Sequence, residues 1–203
     1  AGWVVAVTGE ALCFLLNAAS YLAVLLALLA IRLPAGGPRK ASAPPLQALR
    51  EGVRYTAGQR NIRASLLLIA SLSFLATPYT VLMPLFAREI FGGDARLFGL
   101  LMGCAGAGAL SGAVLLALRS DTAGLAALIG RVAPLVGIAL ALFAVSTSLW
   151  LTVPILFGLG LALLLCVAGS NTLIQTQVDN DFRGRVMSLF TMAFLGIAPL
   201  GSF

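Results

Sequence analysis

Between Val132 and Val178 the chain carries no charged residue. A helix of roughly 20 apolar residues crosses a hydrocarbon layer about 30 Å thick, so this stretch is far too long for one membrane span. The residues S-T-S-L-W at 146–150, followed by Pro154, predict a turn inside it. The longest apolar run therefore predicts two membrane-spanning helices.

Other apolar runs of span length lie on both sides of this one. A first span is predicted over 11–31, preceded by a helix tail at 1–7 and a turn at Thr8-Gly9-Glu10. Neither end of the sequence resembles a natural terminus, so we expect a piece of a longer protein. The remaining predicted spans cover about 64–87, 97–118, 126–146, 150–173 and 186–203.

Composition favours a membrane as the surrounding medium. Apolar residues make up 60% of the chain and charged residues 10%, and the mean hydropathy is +1.03. A soluble domain has about 45–50% apolar and about 25% charged residues. The net charge of +6 does not predict nucleic-acid binding, because the basic residues lie in connections between apolar runs. The expected partner is a lipid bilayer.

The basic residues also predict which side of the membrane each connection faces. Segments 32–63, 119–131 and 176–185 hold eleven of the thirteen, and the opposite side keeps Arg88 and Arg96. An excess of Lys and Arg marks the cytoplasmic side. We therefore expect those three segments to be cytoplasmic.

The long connection 32–63 contains a candidate surface helix. Leu46, Leu49 and Val53 follow a helical spacing, with Arg50 and Arg54 beside them. This pattern is typical of an amphipathic helix on an anionic membrane leaflet. A solvated linker remains the alternative.

Four segments resemble the Major Facilitator Superfamily, and within it the enterobactin-exporter-like (transmembrane secretion effector) group of bacterial efflux proteins. They occur in the family's order and cover nearly the whole chain. The segments are F-L-L-N-A-A-S-Y-L-A at 14–23, E-G-V-R-Y at 51–55, P-Y-T-V-L-M-P-L-F-A at 78–87 and N-T-L-I-Q-T-Q-V-D-N-D-F-R-G-R-V-M-S-L at 171–189.

The resemblance implies an all-α integral membrane protein with an incomplete major-facilitator helix bundle, from the end of helix five to most of helix eleven. Residues 1–31 would end the N-terminal bundle, 32–63 would form a cytoplasmic linker, and 64–203 would form the C-terminal bundle. The N-terminal half of the same transporter is then an expected partner. The family's signature loop is matched only in part, at Asp121 to Gly124. We therefore assign these residues no gating role.

A cluster of charges precedes the last apolar run. Asp179, Asp181, Arg183 and Arg185 surround Gly184. Such a cluster can form a cytoplasmic charge network that breaks and reforms as two helix bundles rock. Alternatively, the arginines only set the topology and the acids cap the next helix.

Polar residues within the spans are the candidates for a substrate cavity. The candidates are Thr77, Tyr79, Asn171 and Thr191. Thr77 and Tyr79 also flank Pro78, which tends to kink its helix. The alternative for each is an interhelical hydrogen bond.

Glycines at a spacing of four predict close helix packing. Gly99 and Gly103 form one G-x-x-x-G pair, and Gly108 and Gly112 form a second.

The sequence predicts no enzyme, no metal site and no cofactor. It has no histidine, and its three cysteines lie within apolar runs. The resemblance implies a secondary active efflux transporter in the bacterial cytoplasmic membrane. It would move a small amphipathic molecule of drug or siderophore type by alternating access with proton antiport. The rival functions are a non-transporting membrane scaffold or assembly subunit, and the membrane part of an ATP-driven permease.

Overall fold

The computed structural model describes residues 2–31, 44–119, 122 and 124–202. All the regular structure among these residues is helical. Contacts divide the chain into two units, Ala1–Ser42 and Ala43–Phe203, which are described separately below.

The described part of the first unit, residues 2–31, forms one helix, α1, which runs from Gly2 to Ala30. The prediction of a turn at Thr8-Gly9-Glu10 was therefore wrong. One glycine costs a helix only about 1 kcal/mol relative to alanine, and the helix-forming residues on both sides outweigh that cost. The first part of the predicted linker, with Arg39 and Lys40, lies outside the described residues, as does Asp121.

The second unit is a bundle of seven α-helices in the described part of the chain. Two of them continue into a π-helical turn, at Phe86–Ile90 after α3 and at Met192–Gly196 after α7. The helices are α2 (Pro45–Gly58), α3 (Arg60–Leu85), α4 (Ala95–Ala117), α5 (Leu125–Val145), α6 (Leu149–Gln177), α7 (Asn180–Thr191) and α8 (Ala198–Ser202).

Five continuous helical stretches in the described residues are long and apolar enough to cross a membrane. They confirm the predicted all-α membrane helix bundle. The stretches are Arg60–Ile90, Ala95–Ala117, Leu125–Val145, Leu149–Gln177 and Asn180–Gly201.

These stretches begin or end beyond several of the predicted span limits. The stretch predicted at 64–87 begins at Arg60, and the one predicted at 186–203 begins at Asn180. The prediction counted only uncharged residues. A helix can continue past the hydrocarbon layer with its charged side chains in the interface. Charged residues therefore mark the limits of the apolar core and not the limits of the helix.

Local polar contacts explain where two of the helices start. The Asp94 carboxylate caps α4 by accepting from the backbone N–H groups of Arg96 and Leu97, at 3.0 and 3.3 Å. Between α5 and α6 the buried hydroxyls of Ser146 and Thr152 are hydrogen-bonded at 2.7 Å. This second contact lies at the S-T-S-L-W segment and satisfies polar groups at the break between the helices.

The core of the second unit is centred on α6. Leu156, Leu159 and Cys166 of this helix are fully buried, and α3, α4 and α5 pack around it. Gly160 of α6 lies against the carbonyl group of Ala105 in α4. Because a Cβ at position 160 would collide with that carbonyl, the two backbones are in direct contact there.

The outer surface of the bundle is apolar. Trp150 is 91% exposed and Leu110 is 67% exposed. Soluble monomers rarely expose large continuous apolar patches, whereas a bilayer supplies the matching apolar solvent.

Candidate functional site

A cavity of about 450 Å³ lies between α3, α4 and α6, with Phe194 from the second π-helical turn at its wall. Thr77, Ala105 and Leu163 of its lining each fall near the middle of a predicted span. The cavity therefore lies about halfway along the helices. We call it the central cavity.

The described residues that line the central cavity are apolar except for four that carry hydroxyl groups, and none of them is charged. Two of these hydroxyls have protein partners. Ser73 Oγ donates to the Phe194 carbonyl at 2.8 Å, and Thr80 Oγ1 donates to the Thr77 carbonyl at 2.8 Å. The hydroxyls of Thr77 and Tyr79 have no hydrogen-bond partner among the described residues, which leaves both available to a solute.

An aromatic contact holds the Tyr79 ring. It makes an edge-to-face contact with the Phe143 ring, with 6.4 Å between ring centroids and an interplanar angle of 82°. Phe143 in turn stacks on Phe86 at 4.6 Å. Edge-to-face and offset-stacked pairs are the favoured aromatic geometries, so this cluster fixes the orientation of the Tyr79 ring.

Two irregular helix segments meet beside the cavity. Pro78 has no backbone N–H, so the Phe74 carbonyl one turn earlier lacks its usual donor in α3. Gly201 of α8 lies against this carbonyl, where a Cβ would collide with it. The adjacent bond from Ser73 to Phe194 joins the same part of α3 to the π-helical turn.

The other two predicted cavity residues do not line the central cavity. Asn171 Oδ1 accepts from Gln175 Nε2 at 3.0 Å, and Thr191 Oγ1 donates to the Met187 carbonyl at 3.1 Å. Both contacts stay within one helix. The structure thus brings Thr77 and Tyr79 together and places Asn171 and Thr191 elsewhere.

A second group of polar contacts joins α2 to the start of α7. Arg185 Nη1 lies 2.7 Å from Glu51 Oε2. The Tyr55 hydroxyl donates to Asp179 Oδ2 at 3.0 Å and accepts from the Asp179 backbone N–H at 3.3 Å. Asp179 is at the N-cap position of α7, but its side chain makes no capping hydrogen bond there.

Ring and backbone contacts extend this group. Tyr55 stacks on Phe182 with 4.4 Å between centroids and 8° between planes, and the Arg185 guanidinium lies 5.3 Å from the Phe182 ring centroid. A Cβ on Gly52 would stand 3.2 Å from the Arg185 Cβ, so α2 approaches α7 closely. We call these residues, together with Glu51 and Asp179, the α2–α7 cluster.

The predicted charge network is only partly in this cluster. Asp179 and Arg185 both contact α2. Asp181 and Arg183 are exposed, and neither forms an ion pair with another described residue. Arg185 and Asp179 have their partners, Glu51 and Tyr55, in α2. The sequence did not indicate these contacts.

A family profile described as "transmembrane secretion effector", from the Major Facilitator Superfamily, matches residues 1–203. The chain belongs to this family. The resemblance inferred from the four segments is confirmed, and with it a multi-pass membrane protein of a transporter family. Neither the curated proteins nor the solved structures gave a match.

The predicted packing glycines divide into two groups. A Cβ on Gly108 would collide with the Phe157 carbonyl, and one on Gly112 would stand 2.9 Å from the Leu161 carbonyl oxygen, so both glycines lie against α6. A Cβ on Gly99 or Gly103 would meet nothing within 4 Å in the described structure.

Sequence reasoning missed several residues that position these sites. Gly160 lies directly against the α4 backbone, but the sequence around a glycine in an apolar run does not indicate which residues it contacts. Glu51 and Tyr55 lie in the E-G-V-R-Y segment that supported the family resemblance. That segment was the available signal, although it does not identify the distant residues that they contact.

Proposed function

We propose that this secretion effector exports small amphipathic molecules, of drug or siderophore type, across the bacterial cytoplasmic membrane by alternating access. The observation that carries the proposal is the central cavity, with its two unpartnered hydroxyls halfway along the helices. Its volume of about 450 Å³ falls within the roughly 300–1,000 Å³ typical of small-molecule sites. Transporter sites lie near the middle of the bilayer.

The chemistry of the lining favours a solute with an extensive apolar surface. Met102, Leu163 and Phe194 offer apolar contacts, while Tyr79 and Thr77 can each exchange a hydrogen bond with a polar group of the solute. A fully charged solute would lose its hydration without gaining a counter-charge from this lining. An amphipathic molecule could place its apolar part in the cavity and its polar part outside it.

Alternating access requires a second helix bundle that rocks against this one. We assign that role to the N-terminal half of the same transporter. Proton antiport would need a titratable carboxylate close to the solute, and the part of the chain that the structure describes contributes no acidic residue to the central cavity. The proposal therefore places the coupling carboxylate on the N-terminal half.

The α2–α7 cluster is the proposed gate at the cytoplasmic end. Its two polar contacts, Glu51 to Arg185 and Tyr55 to Asp179, hold α2 against the start of a span. Asp181 and Arg183 beside them are exposed and would pair with the N-terminal bundle in one state only. The proposal puts this end of the bundle on the cytoplasmic side, in line with the excess of basic residues in the connections.

The proposal is tested with the intact transporter in proteoliposomes under an imposed pH gradient. Transport of a neutral amphipathic dye should fall in Tyr79→Phe and Thr77→Val, because each removes a hydroxyl from the cavity. The matched controls Thr191→Val and Ser111→Ala remove hydroxyls that bond within their own helices and should leave transport unchanged. Equal loss in all four variants would refute a solute site in the central cavity.

Cysteine accessibility separates transport from a scaffold role. A single cysteine at position 79 should react with a water-soluble maleimide in the intact protein, and the dye should protect it. A scaffold needs no water-filled cavity, so an unreactive cysteine together with absent dye transport would favour that rival. Transport that depends on ATP instead of the pH gradient would favour the permease rival.

A further inference from the structure

Helix α2 has a second face, directed away from α7, that combines arginines with aliphatic side chains. Leu46 is 78% exposed and Val53 is 50% exposed. Arg50 and Arg54 are exposed as well. At 3.6 residues per turn these four side chains lie on one side of the helix.

The opposite face of α2 is already occupied. Gly52 and Tyr55 pack on α7, and Glu51, which is the only acidic residue of α2, is paired with Arg185. The outward face therefore carries two positive charges that no acid of α2 neutralises.

The position of α2 along the bundle decides what can lie next to this face. The helix ends at Gly58, and the span of α3 begins at Arg60. On its docked side α2 contacts the start of the Asn180–Gly201 span. Because two spans begin beside it, α2 lies at the level where the bundle leaves the hydrocarbon layer.

We propose that the outward face of α2 binds anionic phospholipid headgroups. Arg50 and Arg54 would hold lipid phosphates, while Leu46 and Val53 would enter the acyl boundary beneath them. An open concavity of about 630 Å³ next to both arginines offers room for a headgroup; its other lining residues are Pro44, Leu46, Gln47 and Glu51. The Glu51 carboxylate at its edge is paired with Arg185. Guanidinium groups pair with phosphate through two parallel hydrogen bonds, and basic side chains beside a span attract anionic lipids.

The experiment uses the intact transporter in nanodiscs. Every cysteine of the intact transporter, including Cys13, Cys104 and Cys166, is replaced by alanine, and Ala57→Cys on the outward face carries an environment-sensitive fluorophore. Nanodiscs are made of phosphatidylcholine alone or with phosphatidylglycerol. The measurement is the fraction of the fluorophore that is protected from iodide quenching.

Protection should appear with phosphatidylglycerol and be small with phosphatidylcholine alone. Each of Arg50→Gln and Arg54→Gln should lower the ratio of protected to accessible fluorophore about fivefold, as expected for one basic residue at an anionic surface. NaCl at about 1 M, where the Debye length is about 3 Å, should lower it similarly. The control Arg88→Gln/Arg96→Gln removes two exposed charges from the opposite end of the spans and should change nothing.

Two results would overturn the proposal. Protection that is equal in both lipid compositions and insensitive to the arginines would mean that another protein surface covers α2. A fluorophore that is fully quenched in both compositions would mean that this face is simply solvated. The readout does not involve transport, so its failure is distinguishable from failure of the efflux proposal.

Discussion

The carboxylate of Glu51 and the guanidinium of Arg185 form an ion pair at 2.7 Å, although the two residues lie far apart in the sequence. Both side chains are about one third exposed, at 38% and 32%. The pair is therefore only partly buried. Such a pair can exchange partners without exposing the apolar core, which is what a gate requires.

We predict that Glu51→Gln loosens α2. An accessible ion pair contributes at most about 1 kcal/mol, so the bundle should stay folded while α2 detaches more often. Limited trypsin digestion should then cleave after Arg50 and Arg54 several-fold faster, by roughly the factor of five that corresponds to 1 kcal/mol. Glu89→Gln is the matched control, because its pair with Arg88 is largely exposed and joins neighbouring residues. Equal cleavage rates in both variants would show that the pair does not hold α2.

The contact between α4 and α6 predicts a strong effect of added methyl groups. Gly160→Ala and Gly108→Ala each place a Cβ against a backbone carbonyl of the other helix. The helices must separate, which should cost about 1–3 kcal/mol as in other overpacked sites. The measurement is the apparent unfolding midpoint of the detergent-solubilised transporter. Gly103→Ala, whose Cβ has open space, should keep or slightly raise that midpoint, since alanine favours helix over glycine.

The central cavity can be filled without touching its hydroxyls. Gly106 lines the cavity, and a Cβ there meets nothing within 4 Å. Gly106→Phe should leave the fold intact and reduce dye transport roughly tenfold or more, which corresponds to about 1.4 kcal/mol of lost binding. The matched control is Gly137→Phe, at an exposed position of α5 that also has open space. Unchanged dye transport in Gly106→Phe would exclude the cavity as the solute site.

The bond from Ser73 to the Phe194 carbonyl predicts a measurable loss of stability in Ser73→Ala. Removing the donor deletes the hydrogen bond that joins α3 to the Phe194 carbonyl of the π-helical turn, at a cost of roughly 1 kcal/mol. The unfolding midpoint should fall. Ser111→Ala removes a hydroxyl that bonds within its own helix to the Ala107 carbonyl, and its midpoint should hardly change. Equal midpoints in the two variants would show that the interhelical bond adds nothing to stability.

Much of the fold was predictable because the hydropathy of each segment reflects whether the segment lies in the membrane or in water. The uncharged run from Val132 to Val178 required two spans, and the chain does break at Ser146 to Ser148. The limits of the helices were less accurate, as at Asn180, because a helix does not need to end where its apolar residues end.

The candidate sites were less predictable than the spans. Thr77 and Asn171 are both polar residues within apolar runs, and the sequence does not distinguish them. Of the two, only Thr77 lines the central cavity. Burial in lipid requires every polar group to find a partner. Asn171 finds one in Gln175, four residues along its own helix, and no sequence pattern distinguishes that outcome from a cavity role.

The sequence alone determined the medium, the helices and the family, because hydropathy and charge act on each segment separately. The tertiary structure decided which side chains meet: Glu51 with Arg185, Gly160 with the Ala105 carbonyl, and Tyr79 with Phe143. These contacts depend on the rotation and crossing of packed helices. In lipid that geometry is set by van der Waals fit and interhelical hydrogen bonds, which the hydropathy of a single segment does not encode.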